Sequence, residues 1–398
     1  MQFPPTLDIP EEVLDIARAL DAAGHEVWCV GGAVRDALLG DAQADYDLAT
    51  SAKPEQVQAL FPRTVAVGIE FGTVGVLDRR RRLHEVTTFR RDVSTDGRRA
   101  VVAFGASLEE DLARRDLTIN AIAYHPIRAE WRDPFDGAGD LERRLIRAVG
   151  EPLERFREDY LRILRTVRFA ARLGFAIEPP TWEAAKRAAD GLTMLSAERV
   201  RDEWFKSLRT AQTIPPLVRL WWEAGIAKVW APELRAAADV AASPPVTIPP
   251  GELRDPVLLT ALLAREPAAL LTRLKASSLE IRRAAAMAAG PEGPDGTEAV
   301  TVRRWLAGVG DAADDLLALW ALRHGAAAPW AAVVDGIRAR NEPLTRQQLA
   351  VTGVDLQHAG VGPGPAVGRV LERLLGLVLE DPRRNTRDQL LARVKELV

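Results

Sequence analysis

The sequence predicts an α+β protein in which a head built on a mixed β-sheet precedes a part made entirely of helices. Residues 27–49 hold a strand, a Gly-Gly turn, a short helix and a second strand in quick succession. Short strand-like runs then continue to Phe89. Beyond about Gly191 the chain reads as helices joined by short connectors. These three observations separate a sheet-containing amino-terminal part from a helical remainder.

The composition indicates a soluble globular protein. The chain has 398 residues, 27% of them charged and 47% hydrophobic, which leaves room for about two to four packed units. No apolar run is long enough to span a bilayer, so we expect no membrane-spanning segment. The single Cys29 excludes an intramolecular disulfide, which is typical of a cytoplasmic protein. The formal net charge of -3 argues against a protein that coats long polyanions, but it allows local basic surfaces.

The first elements place a glycine turn at the end of a buried strand. Apolar residues at helical spacing predict a helix over Glu11–Ala23, and the strand that follows ends at Val30. Gly31 and Gly32 then form the turn into a short helix. Glycines let the backbone approach a phosphate, and the amides at a helix start favour negative charge. The turn is therefore a candidate phosphate site.

Two aspartates on the next strand complete this motif. Asp45 and Asp47 lie two residues apart, so they share one side of a strand and can hold divalent ions. A D-x-D alone is most often a solvated surface pair, but here GGxVRD lies about ten residues ahead of it. Together the two motifs resemble those of the class II tRNA nucleotidyltransferase and bacterial poly(A) polymerase family, within the polymerase β-like nucleotidyltransferases. The resemblance implies that Gly31, Gly32 and Arg35 cradle a triphosphate, and that Asp45 and Asp47 bind Mg²⁺ and are catalytic.

A third carboxylate is expected beside this strand. A helix from Ser51 through Leu60 leads to strand-like runs over Thr64–Val67, Gly72–Leu77 and Leu83–Phe89. The family places a further catalytic carboxylate on a neighbouring strand, and Glu85 is the candidate by its place in the order. An edge-strand glutamate that faces water is the alternative interpretation.

The segment Arg91–Phe104 is polar and rich in turn residues, without clear periodicity, so we expect a loop. In the family a mobile loop at this place helps the enzyme to switch between nucleotides. Here Arg98-Arg99-Ala100 replaces the commonly seen Arg-Arg-Pro, and the usual Tyr is missing. How this chain switches specificity, and whether it does, is left open by that difference.

The next motif, LEEDLARRDLTINAIA over Leu108–Ala123, matches the family closely. Its implied nucleotide contacts are Arg115, Asp116 and Asn120. An arginine can bind a phosphate, whereas Asp and Asn can accept from or donate to ribose hydroxyls and so distinguish NTP from dNTP. Without the motif, Asp116 and Asn120 would be an ordinary polar helix face.

The segment Arg157–Leu173 predicts one amphipathic helix. At about 100° per residue, Glu158, Asp159, Arg162 and Arg165 fall within roughly 120° of arc. On this pattern alone, a surface helix with internal salt bridges is the favoured interpretation. In the family, however, EDxxR at this place acts as a protein template for the incoming base.

The template role has a chemical basis. Cytosine and adenine present an amino donor beside a ring-nitrogen acceptor, whereas uracil and guanine present a carbonyl beside a ring N–H. Asp159 as acceptor and Arg162 as donor would select the first pair and leave the second mispaired. Glu158 is expected to orient Arg162, and Arg165 to face phosphate or RNA.

The helical half carries two further similarities. Ser196-Ala197-Glu198-Arg199-Val200 resembles a family motif that buttresses the template helix, although Ser196 is also simply a good N-cap. Residues 349–391 resemble the family's tail, which grips tRNA, and Arg383, Arg384 and Arg387 are candidate phosphate contacts.

The resemblance implies template-independent addition of C and A to the 3′ end of tRNA, with CTP, ATP and the tRNA 3′ end as partners and with no protein partner implied. A CC-only or A-only enzyme, a poly(A) polymerase and an enzyme acting on a small molecule stay open within this chemistry. A catalytically silent RNA-binding protein is the alternative from another class. The expected domains are a catalytic head over 1–140, a base-reading neck over 141–210, a helical body over 211–330 and a tRNA-binding tail over 331–398.

Overall fold

The computed structural model describes residues 2–41, 46–95, 100–242 and 254–397. The chain divides into two compact units, one of residues 1–232 with 273–275 and the other of residues 233–272 with 276–398. The predicted ligand Asp45 lies outside the described residues, as do residues 96–99 of the expected loop.

The first unit is built on a mixed sheet, as predicted. Seven strands follow the order β3-β4-β5-β2-β1-β8-β9, in which β2 and β5 pair in parallel and the other neighbours are antiparallel. Two-stranded sheets pair β6 with β7 and β10 with β11. The strands are β1 (Val27–Val30), β2 (Asp47–Thr50), β3 (Thr64–Gly68), β4 (Thr73–Leu77), β5 (Leu83–Thr88), β6 (Arg90–Thr95), β7 (Ala100–Phe104), β8 (Ala123–His125), β9 (Glu130–Arg132), β10 (Leu145–Ile146) and β11 (Ala176–Ile177).

Helices cover the sheet and extend beyond it. They are α1 (Glu11–Ala22), α2 (Gly32–Leu38), α3 (Pro54–Leu60), α4 (Leu108–Ala113), α5 (Gly137–Arg143), α6 (Pro152–Glu158), α7 (Leu161–Leu173), α8 (Pro179–Arg187), α9 (Ala197–Thr210), α10 (Ile214–Glu223) and α11 (Ile226–Trp230). The apolar side of α1 is buried through Val13, Ile16 and Leu20, as its periodicity predicts. Phe169 and Leu173 of α7 belong to the same core cluster, which fixes α7 against the head.

Two sequence expectations about local structure are wrong. Arg91–Phe104 was expected to be a loop, but β6 and β7 form an antiparallel hairpin there. A two-stranded sheet apart from the main one need not bury a face, so alternation of apolar and polar residues is not required of it.

The single helix expected over Arg157–Leu173 is likewise two helices. α6 ends at Glu158, Asp159 is extended (φ -154°, ψ 107°), and α7 begins at Leu161. The Asp159 side chain accepts a hydrogen bond from the Leu161 N–H at 3.0 Å. An aspartate that satisfies a free amide of the first turn favours a helix start over a helix interior.

The second unit is helical, which confirms the predicted fold class for the part of the chain that the structure describes. Its helices are α12 (Ala237–Ala242), α13 (Pro256–Leu263), α14 (Pro267–Arg273), α15 (Ser278–Ala289), α16 (Ala299–Val309), α17 (Ala313–His324), α18 (Ala331–Ala339), α19 (Gly353–His358), α20 (Pro365–Glu380) and α21 (Arg387–Leu397). The buried Arg303 donates to the carbonyl oxygens of Leu379 and Glu380, which lack helical partners at the end of α20. Across the described ranges, no helix has the length and apolar character needed to cross a membrane.

Candidate active site

A cavity of about 1020 Å³ in the first unit gathers the predicted site residues. Its lining comes from the sheet, from the turn after β1, from the segment after α4 and from α6, α7 and α9. The structure places twelve of the thirteen predicted residues around it, Asp45 being the one outside the described ranges: Gly31, Gly32, Arg35, Asp47, Glu85, Arg115, Asp116, Asn120, Glu158, Asp159, Arg162 and Arg165. Their functional roles remain predictions.

Gly31 connects β1 to α2 in a conformation that favours glycine. Its φ is +78°, and a Cβ built there would lie 3.3 Å from Arg115 Nη1 and 3.9 Å from Asp47 Oδ2. A side chain would therefore occupy the space between a cation and a carboxylate. Because glycine has no side chain, the backbone at Gly31 stays accessible to a bound anion.

Asp47 and Glu85 lie side by side on one face of the sheet. Asp47 is the exposed first residue of β2, and the preceding Tyr46 is buried in the core, which fixes the start of that strand. Leu48 pairs with Val86 in the parallel β2–β5 ladder, so Asp47 and Glu85 each precede a paired residue and point the same way. β5 lies between β4 and β2, so Glu85 does not lie on an edge strand, although its side chain is exposed to solvent as the alternative interpretation expected.

These carboxylates fit a divalent cation. Hard ions such as Mg²⁺ take oxygen ligands, and both side chains line the cavity. Among the described residues no cluster of three or more potential ligands forms, but Asp45, two residues before Asp47, is not among them.

Arg35 is almost fully covered beneath the glycine turn, with 1% of its surface exposed. Its Nη1 donates to Asn120 Oδ1 at 2.5 Å, and its Nε donates to Asp36 Oδ1 at 2.8 Å. The guanidinium also lies 4.7 Å from the centre of the Phe169 ring. Burial lowers the pKa of Arg35, an effect that Asp36 opposes. Arg35 thus joins the turn to the Asn120 segment as well as lining the cavity.

Asp116 connects Asn120 to α7. Its Oδ2 accepts from Arg165 Nε at 2.6 Å, and its Oδ1 accepts from Asn120 Nδ2 at 3.1 Å and from the Leu117 N–H at 2.9 Å. Burial by itself would raise the pKa of Asp116, but the Arg165 charge and these hydrogen bonds outweigh it and hold the pKa below its usual range. Asp116 therefore carries a negative charge inside the cavity wall.

Arg115 contains an unsatisfied donor. Its Nη2 donates to Asp111 Oδ2 at 3.1 Å, whereas its Nε is buried and has no hydrogen-bond partner among the described residues. Buried polar groups are normally paired, so an unpartnered guanidinium N–H beside the glycine turn fits a site that receives an anion.

The predicted base-reading residues meet at the break between α6 and α7. Glu158 Oε2 accepts from Arg162 Nη1 at 2.6 Å, the contact expected of a residue that orients Arg162. Arg162 Nη2 donates to the Arg114 carbonyl at 2.8 Å. Asp159 lies in the two-residue gap and contacts Arg199 of α9. The three residues thus line the cavity from the end of α6, the gap and the start of α7 instead of sharing one helical face.

Sequence reasoning did not predict the contacts of two arginines, Arg199 and Arg168, that hold this arrangement. Arg199 Nη2 donates to Asp159 Oδ2 at 2.7 Å, and Arg168 of α7 donates to Glu203 of α9 at 2.6 Å. Ser196 caps α9, as expected of a good N-cap, and the buttress role of its motif stays a prediction. Arg199 stood in a motif already singled out, whereas no local pattern distinguishes Arg168 from the other arginines of α7.

In the second unit the predicted phosphate contacts are exposed and already paired. Arg383 binds Asp381 at 2.9 Å, and Arg387 binds Asp355 at 2.6 Å. Arg384 lies 3.5 Å from Glu380. Their part in RNA binding stays a prediction.

Comparison with known proteins gives consistent relatives. The family described as "Poly A polymerase head domain" matches residues 27–147, and the one described as "Probable RNA and SrmB- binding site of polymerase A" matches residues 174–237. The CCA-adding enzyme of Levilactobacillus brevis is 36% identical over 98% of this chain and 99% of its own. A CCA-adding enzyme of Streptococcus suis is 49% identical over 50% of this chain. That match covers 52% of the relative, about half of its length. The structure of the Bacillus stearothermophilus CCA-adding enzyme in complex with CTP is similar over 99% of this chain and 98% of that one, with 34% identity and a TM-score of 0.82.

Proposed function

This chain belongs to the family of CCA-adding enzymes, and on that premise we propose that it adds C and A to the 3′ end of tRNA from CTP and ATP without a nucleic-acid template. The observation that carries the proposal is that Asp47 and Glu85 line the same cavity as Asp159 and Arg162, the residues expected to read the base. Catalytic carboxylates and a hydrogen-bonding site for a base are what such a reaction requires in one place. A role in tRNA processing also assigns the chain to the cytoplasm.

Base choice is assigned to the end of the cavity at the helix break. Asp159 accepts from the exocyclic amino group of cytosine or adenine, and Arg162 donates to the neighbouring ring nitrogen. Glu158 holds the Arg162 guanidinium in place, which reduces the motion that must be lost when the base binds. Uracil and guanine present the opposite polarity and leave both side chains mispaired in a polar pocket.

The triphosphate is assigned to the glycine turn. Gly31 and Gly32 let phosphate oxygens approach the backbone, and the Arg115 guanidinium, whose Nη1 lies 3.3 Å from a Cβ built on Gly31, brings positive charge beside them. Asp116 and Asn120, which are tied to Arg165 and Arg35, are assigned to the ribose hydroxyls. The same contacts would distinguish NTP from dNTP.

The chemical step is a phosphoryl transfer. The 3′-oxygen of the RNA forms a bond to the α-phosphorus, the bond from that phosphorus to the bridging oxygen breaks, and pyrophosphate leaves. Asp47, together with Asp45, is assigned to hold Mg²⁺, which when bound lowers the pKa of the attacking hydroxyl and stabilises charge on the pyrophosphate. Glu85 is assigned to accept a hydrogen bond from the attacking hydroxyl and so to orient it. No covalent enzyme intermediate is needed.

Primer extension tests this function. Transcripts of tRNA that end before CCA, after C and after CC are incubated with Mg²⁺ and with CTP, ATP or both. We expect growth to CCA followed by a stop, lost in Asp47→Ala and in the double variant Asp45→Ala/Asp47→Ala. Glu109→Ala, an exposed acid on α4 outside the cavity, is the matched control and should extend normally.

The other outcomes reassign the function. Extension only to CC, or only from CC, would identify a partial enzyme, and a long A tail would identify a poly(A) polymerase. Absence of extension of any RNA by the wild-type chain would contradict the proposal and favour a silent RNA-binding protein. The division into head, neck, body and tail remains part of the proposal.

A further inference from the structure

An exposed apolar strip adjoins Glu85 on the outer strands of the sheet. Val65 and Val67 of the edge strand β3 and Leu83 of β5 are 44%, 42% and 40% exposed. Gly75 of β4 pairs with both Val65 and Glu85, and a Cβ built on it would lie 2.5 Å from Leu83 Cδ1 and 2.8 Å from Val67 Cγ2. Directly paired residues of antiparallel strands share a face, so the three apolar side chains lie on the same face as Glu85.

A basic turn continues this strip. Residues 79–82 are four arginines that connect β4 to β5, and all four are exposed. The turn has a fixed backbone, because the buried Asp78 accepts hydrogen bonds from the N–H groups of Arg80 and Arg82 at 2.8 Å each. Leu83 of the apolar strip follows directly, so the charged and apolar surfaces are continuous.

The basic turn carries more positive charge than its surroundings neutralise. Arg80 Nε lies 3.2 Å from Glu12 Oε1, and Arg79 Nη2 lies 3.7 Å from Asp15 Oδ2. In the part of the chain that the structure describes, the third and fourth arginines of the turn form no ion pair. Exposed arginines on a fixed turn, with positive charge in excess, fit a polyanionic ligand.

The strand order places both features on the side from which an RNA end must arrive. Because β2 and β5 are parallel, the basic turn before β5 lies at the same end of the sheet as the start of β2, where Asp47 pairs with Val30. From the glycine turn outward, the strands follow the order β1, β2, β5, β4 and β3. The attacking and leaving oxygens of a phosphoryl transfer lie roughly in line, on opposite sides of the phosphorus. With the triphosphate assigned to the glycine turn, the attacking 3′-oxygen comes from the side of β5, β4 and β3.

We propose that the apolar strip and the basic turn bind the last nucleotides of the RNA that is extended, with bases or riboses on Val65, Val67 and Leu83 and upstream phosphates on residues 79–82. The proposal rests on the proposed function and deepens it by giving the RNA end a place beside the cavity. Leu83 lies about 7 Å from Glu85 along β5, so the strip begins next to the attacking hydroxyl. Apolar contacts for the bases beside cations for the backbone are what a single strand requires.

A second copy of the chain is the alternative occupant of the apolar strip. A symmetric dimer that buried the strip would also bring two basic turns to one interface, where their like charges repel. The four arginines therefore favour RNA over a second copy.

Binding and kinetics on tRNA that ends before CCA test the basic turn. Arg81→Ser/Arg82→Ser should raise KM for the tRNA about tenfold, and loss of two single-strand phosphate contacts should lower the slope of log affinity against log salt by roughly 1.4. KM for CTP should stay the same, because the glycine turn lies three strands away. Arg128→Ser/Arg132→Ser is the matched control: it removes the same charge from exposed side chains at the opposite edge of the sheet and should change neither quantity.

The apolar strip and the position of the contact are tested separately. Val65→Ser/Leu83→Ser replaces two exposed side chains and should raise KM for the tRNA without changing the salt slope, since no charge is lost. A neutral methylphosphonate, placed in turn at each of the last linkages of the tRNA, should weaken wild-type binding at the linkage that the turn holds. At that linkage it should weaken binding to Arg81→Ser/Arg82→Ser no further.

The remaining outcomes contradict the proposal. Normal extension by the wild type, with tRNA affinity and salt slope unchanged in Arg81→Ser/Arg82→Ser or equally changed in the matched control, would overturn this inference alone. Dissociation of a dimer by Val65→Ser/Leu83→Ser, with KM for the tRNA unchanged, would assign the strip to a second copy. A variant that does not fold is replaced by Arg81→Gln/Arg82→Gln and held to the same salt slope. Failure of the wild-type chain to extend any tRNA would instead contradict the proposed function.

Discussion

Replacement of Glu203 by leucine should destabilise the first unit more than any exposed ion-pair change. Glu203 Oε2 accepts from Arg168 Nε at 2.6 Å, and the two side chains are only 4% and 9% exposed. Burial lowers the pKa of Arg168, but arginine stays protonated in proteins, so Glu203→Leu would leave a buried cation without its carboxylate. Breaking one side of a buried pair costs about 3–5 kcal/mol.

That cost gives a measurable thermal shift. For a folding unit of about 150–250 residues, 1 kcal/mol lowers Tm by about 2–4 °C, so we expect a decrease of roughly 6–20 °C. Calorimetry measures the shift, and tryptophan fluorescence follows it locally, because Trp204 lies beside Glu203 and packs edge to face on Trp221 at 4.5 Å. Primer extension should fall in parallel at temperatures near the lowered Tm.

Two further variants make this prediction refutable. Arg168→Met/Glu203→Leu replaces the pair with apolar side chains of similar volume and should recover most of the lost stability. Glu223 lies 3.7 Å from Arg219, whose side chain is 62% exposed. Glu223→Leu should therefore change the free energy of unfolding by no more than about 0.5 kcal/mol. A Glu203→Leu cost below about 1 kcal/mol, or no recovery in the double variant, would show that this pair does not fix α7 on α9.

Three other predictions concern the cavity. Gly31→Ala should add about 1–3 kcal/mol of backbone strain at φ +78° and lower kcat/KM for CTP at least tenfold, since the new methyl group lies 3.3 Å from Arg115 Nη1; unchanged kinetics would contradict the phosphate assignment. Glu85→Gln should lower kcat about a hundredfold with little change in KM for CTP, and an altered KM with normal kcat would make Glu85 a binding residue instead. Asp116→Asn should remove a stabilising negative charge. Because folding lowers the pKa of the Asp116 carboxyl, the wild type should have its full advantage in free energy of unfolding above about pH 4, and this advantage should shrink as the pH falls further. Chemical unfolding from pH 6 to pH 3 measures that advantage, and a constant difference would contradict the assignment.

The sequence predicted the head well because its motifs are local. The turn at Gly31 and the strand of Asp47 each follow from a few adjacent residues, and the mixed sheet follows from their order along the chain. The helix break was missed because the residues on both sides of Asp159 have helical periodicity. A gap of two non-helical residues is too short to change that pattern. The motif that contains Arg199 was expected to support this segment, but its contact with Asp159 was not specified, because the two residues are 40 positions apart.

The charge of the cavity lining shows why the net charge of the chain is a poor guide to its local electrostatics. The whole chain has a formal charge of -3, yet the described lining contains nine arginines and six carboxylates. Several of those arginines are held by the carboxylates, as Arg165 is by Asp116 and Arg162 by Glu158, so their donors point in fixed directions before any ligand arrives. Arginine N–H groups that are already held in place would not have to move on binding of a triphosphate. Such a preorganised site stabilises charge that develops in the reaction, beyond attracting anions. The surplus of positive charge is local and oriented, and a sum over the sequence cannot reveal either property.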